Sequence, residues 1–217
     1  MNWRVKAKWK LVQRHLNILV DGDPGNQTVE AVARALGIGL VPDSDGRDPG
    51  KLREPVWLQK ARGFEGLREI KGARHHKQIL TWWEKIKAPF RDDETPWCAG
   101  FVGGILEEES IQSSRSAAAR SYMNWGKDAR GPKQGAIVVF WRGKRSGWSG
   151  HVGFVVGVAS NGDPWVLGGN QGDAVSIRKF SKDRVLGYRW PRFSGGDPKD
   201  YPAAILNRHG QYSTNEA

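Results

Sequence analysis

The apolar pattern of this chain changes period once, near Gly126, and that change limits the folds open to it. From Pro55 to about Met123 the apolar residues recur at helical spacing. The pattern predicts helices over 57–66 and 76–87, one opening at Pro96, and one after Ser113-Ser114, whose hydroxyls are candidate N-caps. Beyond Gly126 come short β runs at 135–141, 151–159, 164–168, 174–180 and 186–190. Asn161-Gly162, between two of them, signals a tight hairpin. Helices first and antiparallel strands after predict an α+β domain, one helical layer on a curled sheet.

The start of the chain reads separately. Val5, Trp9, Val12, Leu16 and Leu19 form one apolar stripe with Lys and Arg between them. A turn-rich segment, Asp21 to Asn26, leads to a second short helix carrying Val29, Val32, Ala33 and Leu36, stopped by Gly37. Residues 1–38 are therefore expected to be a small all-α domain. Pro, Gly and Asp dominate 39–54, expected to be a linker. The main domain is expected over 55–192, and 193–217, which carry little pattern, as a surface tail.

Several chemistries are excluded early. The chain has one cysteine, so it forms no internal disulfide and no cysteine-based metal site. Of its five histidines only His75 and His76 form a pair, and adjacent side chains seldom meet one ion. No metal and no organic cofactor are expected. The net charge of +11 favours a polyanionic partner: nucleic acid, an anionic membrane or a bacterial envelope. No nucleic-acid-binding module accompanies it, so no specific nucleic acid is expected. No run approaches the roughly 20 apolar residues of a membrane span. Met1-Asn2-Trp3-Arg4 leads into an amphipathic run rather than an apolar signal core, so synthesis and retention in a cytoplasm are expected unless the protein is released by other means.

Thr95-Pro96-Trp97-Cys98 is the segment that most suggests chemistry. Thr95 suits an N-cap and Pro96 the first helical position, which makes Cys98 the third residue of a helix. Free N–H groups and the helix dipole there favour a thiolate. The apolar Phe101, Val102, Ile105 and Leu106 can anchor the helix behind it. A thiol nucleophile needs a base. His151 opens the apolar strand Gly150-His151-Val152-Gly153-Phe154, whereas His75 and His76 lie in a basic stretch that reads as a solvated turn. A third group must hold the imidazole, and an amide oxygen suffices. Asn170 stands at the end of the next strand; Gln171 points the other way if the strand is still regular there, and Asp173 is a weaker alternative. Trp82, Trp83, Trp97 and Trp125 occupy helical positions that favour the core. Trp97, beside Cys98, is also a candidate substrate contact, with Trp141 and Trp148, which flank the basic loop before His151.

Two stretches resemble known families. Leu11-Val12-Gln13-Arg14-His15-Leu16-Asn17, Val20-Asp21-Gly22, Gly25, Thr28, Ala31 and Val32 resemble a helical peptidoglycan-binding domain, which implies wall contacts from Gln13, Arg14, Asp21 and Thr28. The order of Glu69-Ile70-Lys71-Gly72, Pro96-Trp97-Cys98-Ala99-Gly100-Phe101-Val102, Val138-Val139-Phe140-Trp141-Arg142-Gly143, Gly150-His151-Val152-Gly153, Leu167-Gly168-Gly169-Asn170-Gln171 and Gly187-Tyr188-Arg189-Trp190-Pro191 resembles the papain-like cysteine, histidine-dependent amidohydrolase/peptidase (CHAP) and NlpC-type superfamily, a phage-associated subgroup above all. That resemblance implies a peptidoglycan hydrolase with nucleophile Cys98, base His151 and orienting Asn170. It further implies an endolysin, made as a monomer in a host cytoplasm and reaching bacterial peptidoglycan through a separate membrane pore. The backbone N–H of Cys98 is the candidate oxyanion donor. The alternative is a catalytically silent wall-binding or phage structural protein of the same fold.

Overall fold

The computed structural model describes residues 54–192, 196–206 and 212–213, all within the second of two units into which the chain divides, Arg53–Ala217. The expected domain over 1–38, the linker up to residue 53, and Gln13, Arg14, Asp21 and Thr28 lie outside the described residues.

Among the described residues three α-helices precede the sheet. α1 (Val56–Arg62) starts after Pro55 and turns Trp57, Leu58 and Ala61 inward. α2 (Lys77–Lys85) buries Ile79, Trp82 and Trp83, a spacing that puts all three on one face. α3 (Cys98–Glu108) differs, because every residue from Cys98 to Leu106 is buried. Such a helix needs cover all round: α1 and α2 pack on it from one side and β3 and β4 from the other. Trp82 stacks on Trp97 with ring centroids 6.0 Å apart and meets Phe101 edge-on at 5.1 Å, while Phe101 reaches Phe154 of the sheet at 5.9 Å.

Close approach makes this possible. A Cβ added at Gly104 would lie 2.2 Å from Trp82 Cδ1, and one at Gly100 would lie 2.9 Å from Trp83 Cζ3. The helix opens on Cys98 rather than Pro96, because the Thr95 N–H is taken by Asp92 Oδ1 at 2.6 Å and the first helical bond runs from Phe101 N–H to Trp97 O at 2.8 Å. Cys98 is thus the first helical residue instead of the third.

The helix expected after Ser113-Ser114 is a short 3-10 turn at Ala119–Asn124. The Ser113 hydroxyl is instead engaged with Glu107 at 2.9 Å and Arg115 N–H at 3.0 Å. The sheet contains β1 (Lys127–Asp128), β2 (Ile137–Trp141), β3 (Gly150–Val158), β4 (Pro164–Gly168), β5 (Ser176–Lys179) and β6 (Val185–Trp190). Their order across the sheet is β1-β6-β2-β3-β4-β5, and all neighbours are antiparallel. The two-residue β1 was not legible in the periodicity.

The β3–β4 hairpin is present, but its loop spans Ala159–Asp163. Gly162 takes the left-handed conformation (φ +85°) and the Asn161 side chain accepts from Asp163 N–H at 3.1 Å. The end of the chain is more than a tail. Val158 N–H bonds Ala204 O and Leu206 N–H bonds Val158 O, at 2.8 and 2.7 Å, and the Tyr212 hydroxyl donates to Asp163 at 2.5 Å. Among the described residues no helix is long and apolar enough to cross a membrane.

Gly104→Ala should destabilise the full chain by about 1–3 kcal/mol, the usual cost of forcing extra volume into a packed core. The urea midpoint reads this, and an unchanged midpoint would mean that α2 can move away from α3.

Candidate active site

The two candidate reacting groups stand on α3 and β3, which pack on one another. β3 pairs with β4 only from Phe154, opposite Leu167, so Gly150–Gly153 run on past the paired stretch. The first turn of α3 lies beside this overhang. Gly169, just after β4, allows the contact: a Cβ there would stand 2.5 Å from Trp97 Cζ3 and 2.6 Å from Phe101 Cβ. The backbone N–H of Val152, next in sequence to His151, consequently points at the Cys98 sulfur.

Cys98 is 5% exposed. Burial pushes its pKa up; the N–H groups of Val152, Ala99 and Cys98 and the Arg142 guanidinium all favour the thiolate, but the balance stays above an ordinary thiol. The sequence alone predicts a helix-start thiolate, and the helix start is indeed there. Burial outweighs it, so the resting sulfur carries its proton and needs a base.

His151 is fully buried. Its ring lies parallel to Phe180, with centroids 5.2 Å apart and planes at 8°, and Phe180 stacks in turn on Phe140 at 4.5 Å. Phe140 is also the β2 partner of His151. The aromatic stack fixes the plane of the imidazole, and a hydrogen bond selects one of its two flipped orientations. His151 Nε2 is 3.0 Å from Gln171 Oε1.

The Gln171 amide cannot turn round, because its NH2 donates to Ser176 O at 2.5 Å and faces Val166 O at 3.4 Å. Its oxygen therefore accepts from His151 Nε2–H, and the basic lone pair of the neutral ring is on Nδ1.

The oxygen expected from Asn170 thus comes from the next residue, and strand alternation explains the difference. Asn170 adopts a left-handed conformation (φ +55°) after the end of β4, followed by Gly172 (φ +70°) and Asp173 (φ +58°). The period of two ends before Gln171, which turns inward and is 1% exposed. Asn170 is buried at the turn itself. The Asn-Gln-Gly-Asp run is rich in residues that tolerate positive φ, and this was the available sign that the strand had stopped.

The three candidate indoles separate. Trp97 is fully buried and donates to Glu69 at 3.3 Å, so it belongs to the core and is no substrate contact. Trp141 is partly buried, with its N–H on Asp183 O at 3.2 Å and Arg184 over its ring. Trp148 is 89% exposed at the tip of the β2–β3 loop. His75 and His76 are not a solvated turn: His76 caps α2, accepting from Gln78 N–H at 3.2 Å, and His75 Nδ1 is 3.0 Å from Asp93. Sequence reasoning passed over Asp93, which is fully buried and accepts from Ile70 N–H and His76 N–H, both at 2.8 Å. It fastens the approach to α2 onto the segment that enters α3.

Residues 90–170 match the family model described as the CHAP domain, which marks this stretch as a peptidoglycan hydrolase-type domain, typically a cysteine- and histidine-dependent amidohydrolase or peptidase. No curated protein and no solved structure matches the chain. The matched stretch holds Cys98 and His151 and stops one residue before Gln171.

Burial alone would raise the Asp93 pKa, but its donors outweigh that and hold it below the ordinary carboxylate value. A folded-state pKa lowered in this way contributes stability above the unfolded value of about 3.9 and loses it as pH falls towards the folded one. Asp93→Asn should therefore be less stable than wild type at pH 7, and the gap should narrow below about pH 4. Parallel melting curves from pH 3 to 7 test this, and a constant gap would contradict it.

Proposed function

We propose that this protein hydrolyses an amide or peptide bond of bacterial murein, with Cys98 as nucleophile, His151 as general base and acid, and Gln171 as the group that holds the imidazole. The observation that carries this reading is the His151–Gln171 bond beside a helix-opening cysteine, because it leaves Nδ1 as the basic nitrogen. His151 Nδ1 takes the thiol proton as Cys98 Sγ attacks the carbonyl carbon. In this reading the Cys98 N–H, at the open end of α3, donates to the oxyanion. As the C–N bond breaks, the imidazolium returns the proton to the leaving amine, and a thioester remains. His151 then deprotonates water, which attacks the thioester and releases a carboxylic acid and the thiol.

The chain's surroundings fit a wall polymer. The β2–β3 loop carries exposed Lys144, Arg145 and Trp148, cations and an indole suited to anionic and glycan groups. Partly buried Trp141 supports that rim. Resemblance to a phage-associated subgroup favours an endolysin role: synthesis as a monomer in a host cytoplasm and passage to the wall through a separate pore. The stretch over 1–38 would add wall affinity through Gln13, Arg14, Asp21 and Thr28.

Cys98→Ala and His151→Ala should each abolish release of soluble fragments from purified murein, and mass spectrometry of the wild-type digest identifies the bond. Gln171→Ala carries away a neutral orienting group and should cost on the order of 10- to 1000-fold in rate. Asn170→Ala should cost less than Gln171→Ala, provided circular dichroism shows both folded. Lysis at the wild-type rate by folded His151→Ala would overturn the site.

A further inference from the structure

We propose that Arg120 is a positioning residue of the active site: its guanidinium clamps the β2–β3 loop by three backbone carbonyls, and so fixes Arg142 relative to Cys98. Arg120 lies in the 3-10 turn Ala119–Asn124, far from the loop in sequence. Its Nε donates to Ser149 O at 2.8 Å, Nη1 to Arg145 O at 2.9 Å and Nη2 to Lys144 O at 3.2 Å. Three donors spread over one rigid plane match three carbonyls of a single loop, a task that the compact ammonium of lysine cannot perform.

Ser149 O is the shared point. It also accepts from Arg142 N–H at 3.2 Å, so one carbonyl joins the clamp to the backbone of Arg142. Ser149 is two residues from His151, and at Gly150 an added Cβ would lie 3.1 Å from Arg120 Cγ, which shows how closely the clamp abuts the strand. The groups acting on the sulfur are the N–H groups of β3 and α3 and the cation Arg142, with His151 next to Val152 on β3. The charge of Arg142 favours the thiolate, and the backbone from which its side chain springs is tied to the clamped loop.

The proposal rests on the thiol reading of the site, so its test follows the sulfur rather than murein. The rate of Cys98 alkylation by iodoacetamide, read by mass spectrometry on the full chain between pH 6 and 10, is compared for wild type, Arg120→Lys, Arg142→Ala and the double variant. Arg120→Lys keeps a cation in place while removing the fork, so a purely electrostatic role would leave the rate untouched. The clamp predicts that Arg120→Lys and Arg142→Ala each slow alkylation at pH 7 about three- to tenfold and that the double variant is no slower than Arg142→Ala alone.

A wild-type rate in Arg120→Lys, or multiplying effects in the double variant, would overturn the proposal. Arg142→Ala tests the same link without touching Arg120, and a wild-type rate there overturns it too. Failure of the wild type to release fragments from murein would instead defeat the murein reading and leave the alkylation comparison standing.

Discussion

Everything at this site depends on how near α3 can come to its neighbours. Nine consecutive buried residues leave the helix no solvent face, so its position is set by van der Waals contact on every side. Glycines at the contacts with Trp82 and Trp83 let α2 settle on its backbone, and Gly169 lets the end of β4 do so at the first turn. Cys98 is consequently held by packing behind and beside it. The Val152 N–H, in the overhang of β3, faces its sulfur.

The same tightness sets the electrostatics. A sulfur placed at a helix start gains from free N–H groups, yet the burial that fixes it there penalises charge. The imidazole faces a matching condition: fully buried, parallel to Phe180, and held by an uncharged amide. Burial of both groups favours an uncharged resting site. An amide orienter suits it, since a carboxylate in that place would pull the ring towards its cationic form before substrate arrived.

How much of this could be read in the sequence follows from the range of the signals. Cys98 and His151 were legible because each sits at a boundary that local chemistry marks, a Pro before a helix and a Gly-His opening an apolar strand. The order of helices and strands followed from periodicity for the same reason. Gln171 escaped because the inference extended a period of two through Asn170, where the backbone turns left-handed. Trp97 beside the nucleophile looked available; only the tertiary stack on Trp82 buries it. Asp93 and Arg120 act through partners 17 to 29 residues away, a separation at which no local pattern exists.

The segment beyond β6 has a consequence for modularity. Tyr201 O receives the N–H of Gln134, Ala204 and Leu206 hydrogen-bond to Val158, and Ser213 N–H bonds Lys179 of β5. β5 is also the strand whose Ser176 holds the Gln171 amide. A boundary drawn where the strand pattern ends, at about residue 192, would cut through these ties and loosen the strand on which the imidazole's partner relies. In domain-swapped or chimaeric proteins, the seam for this module therefore belongs after Ser213, where the last of those ties is made.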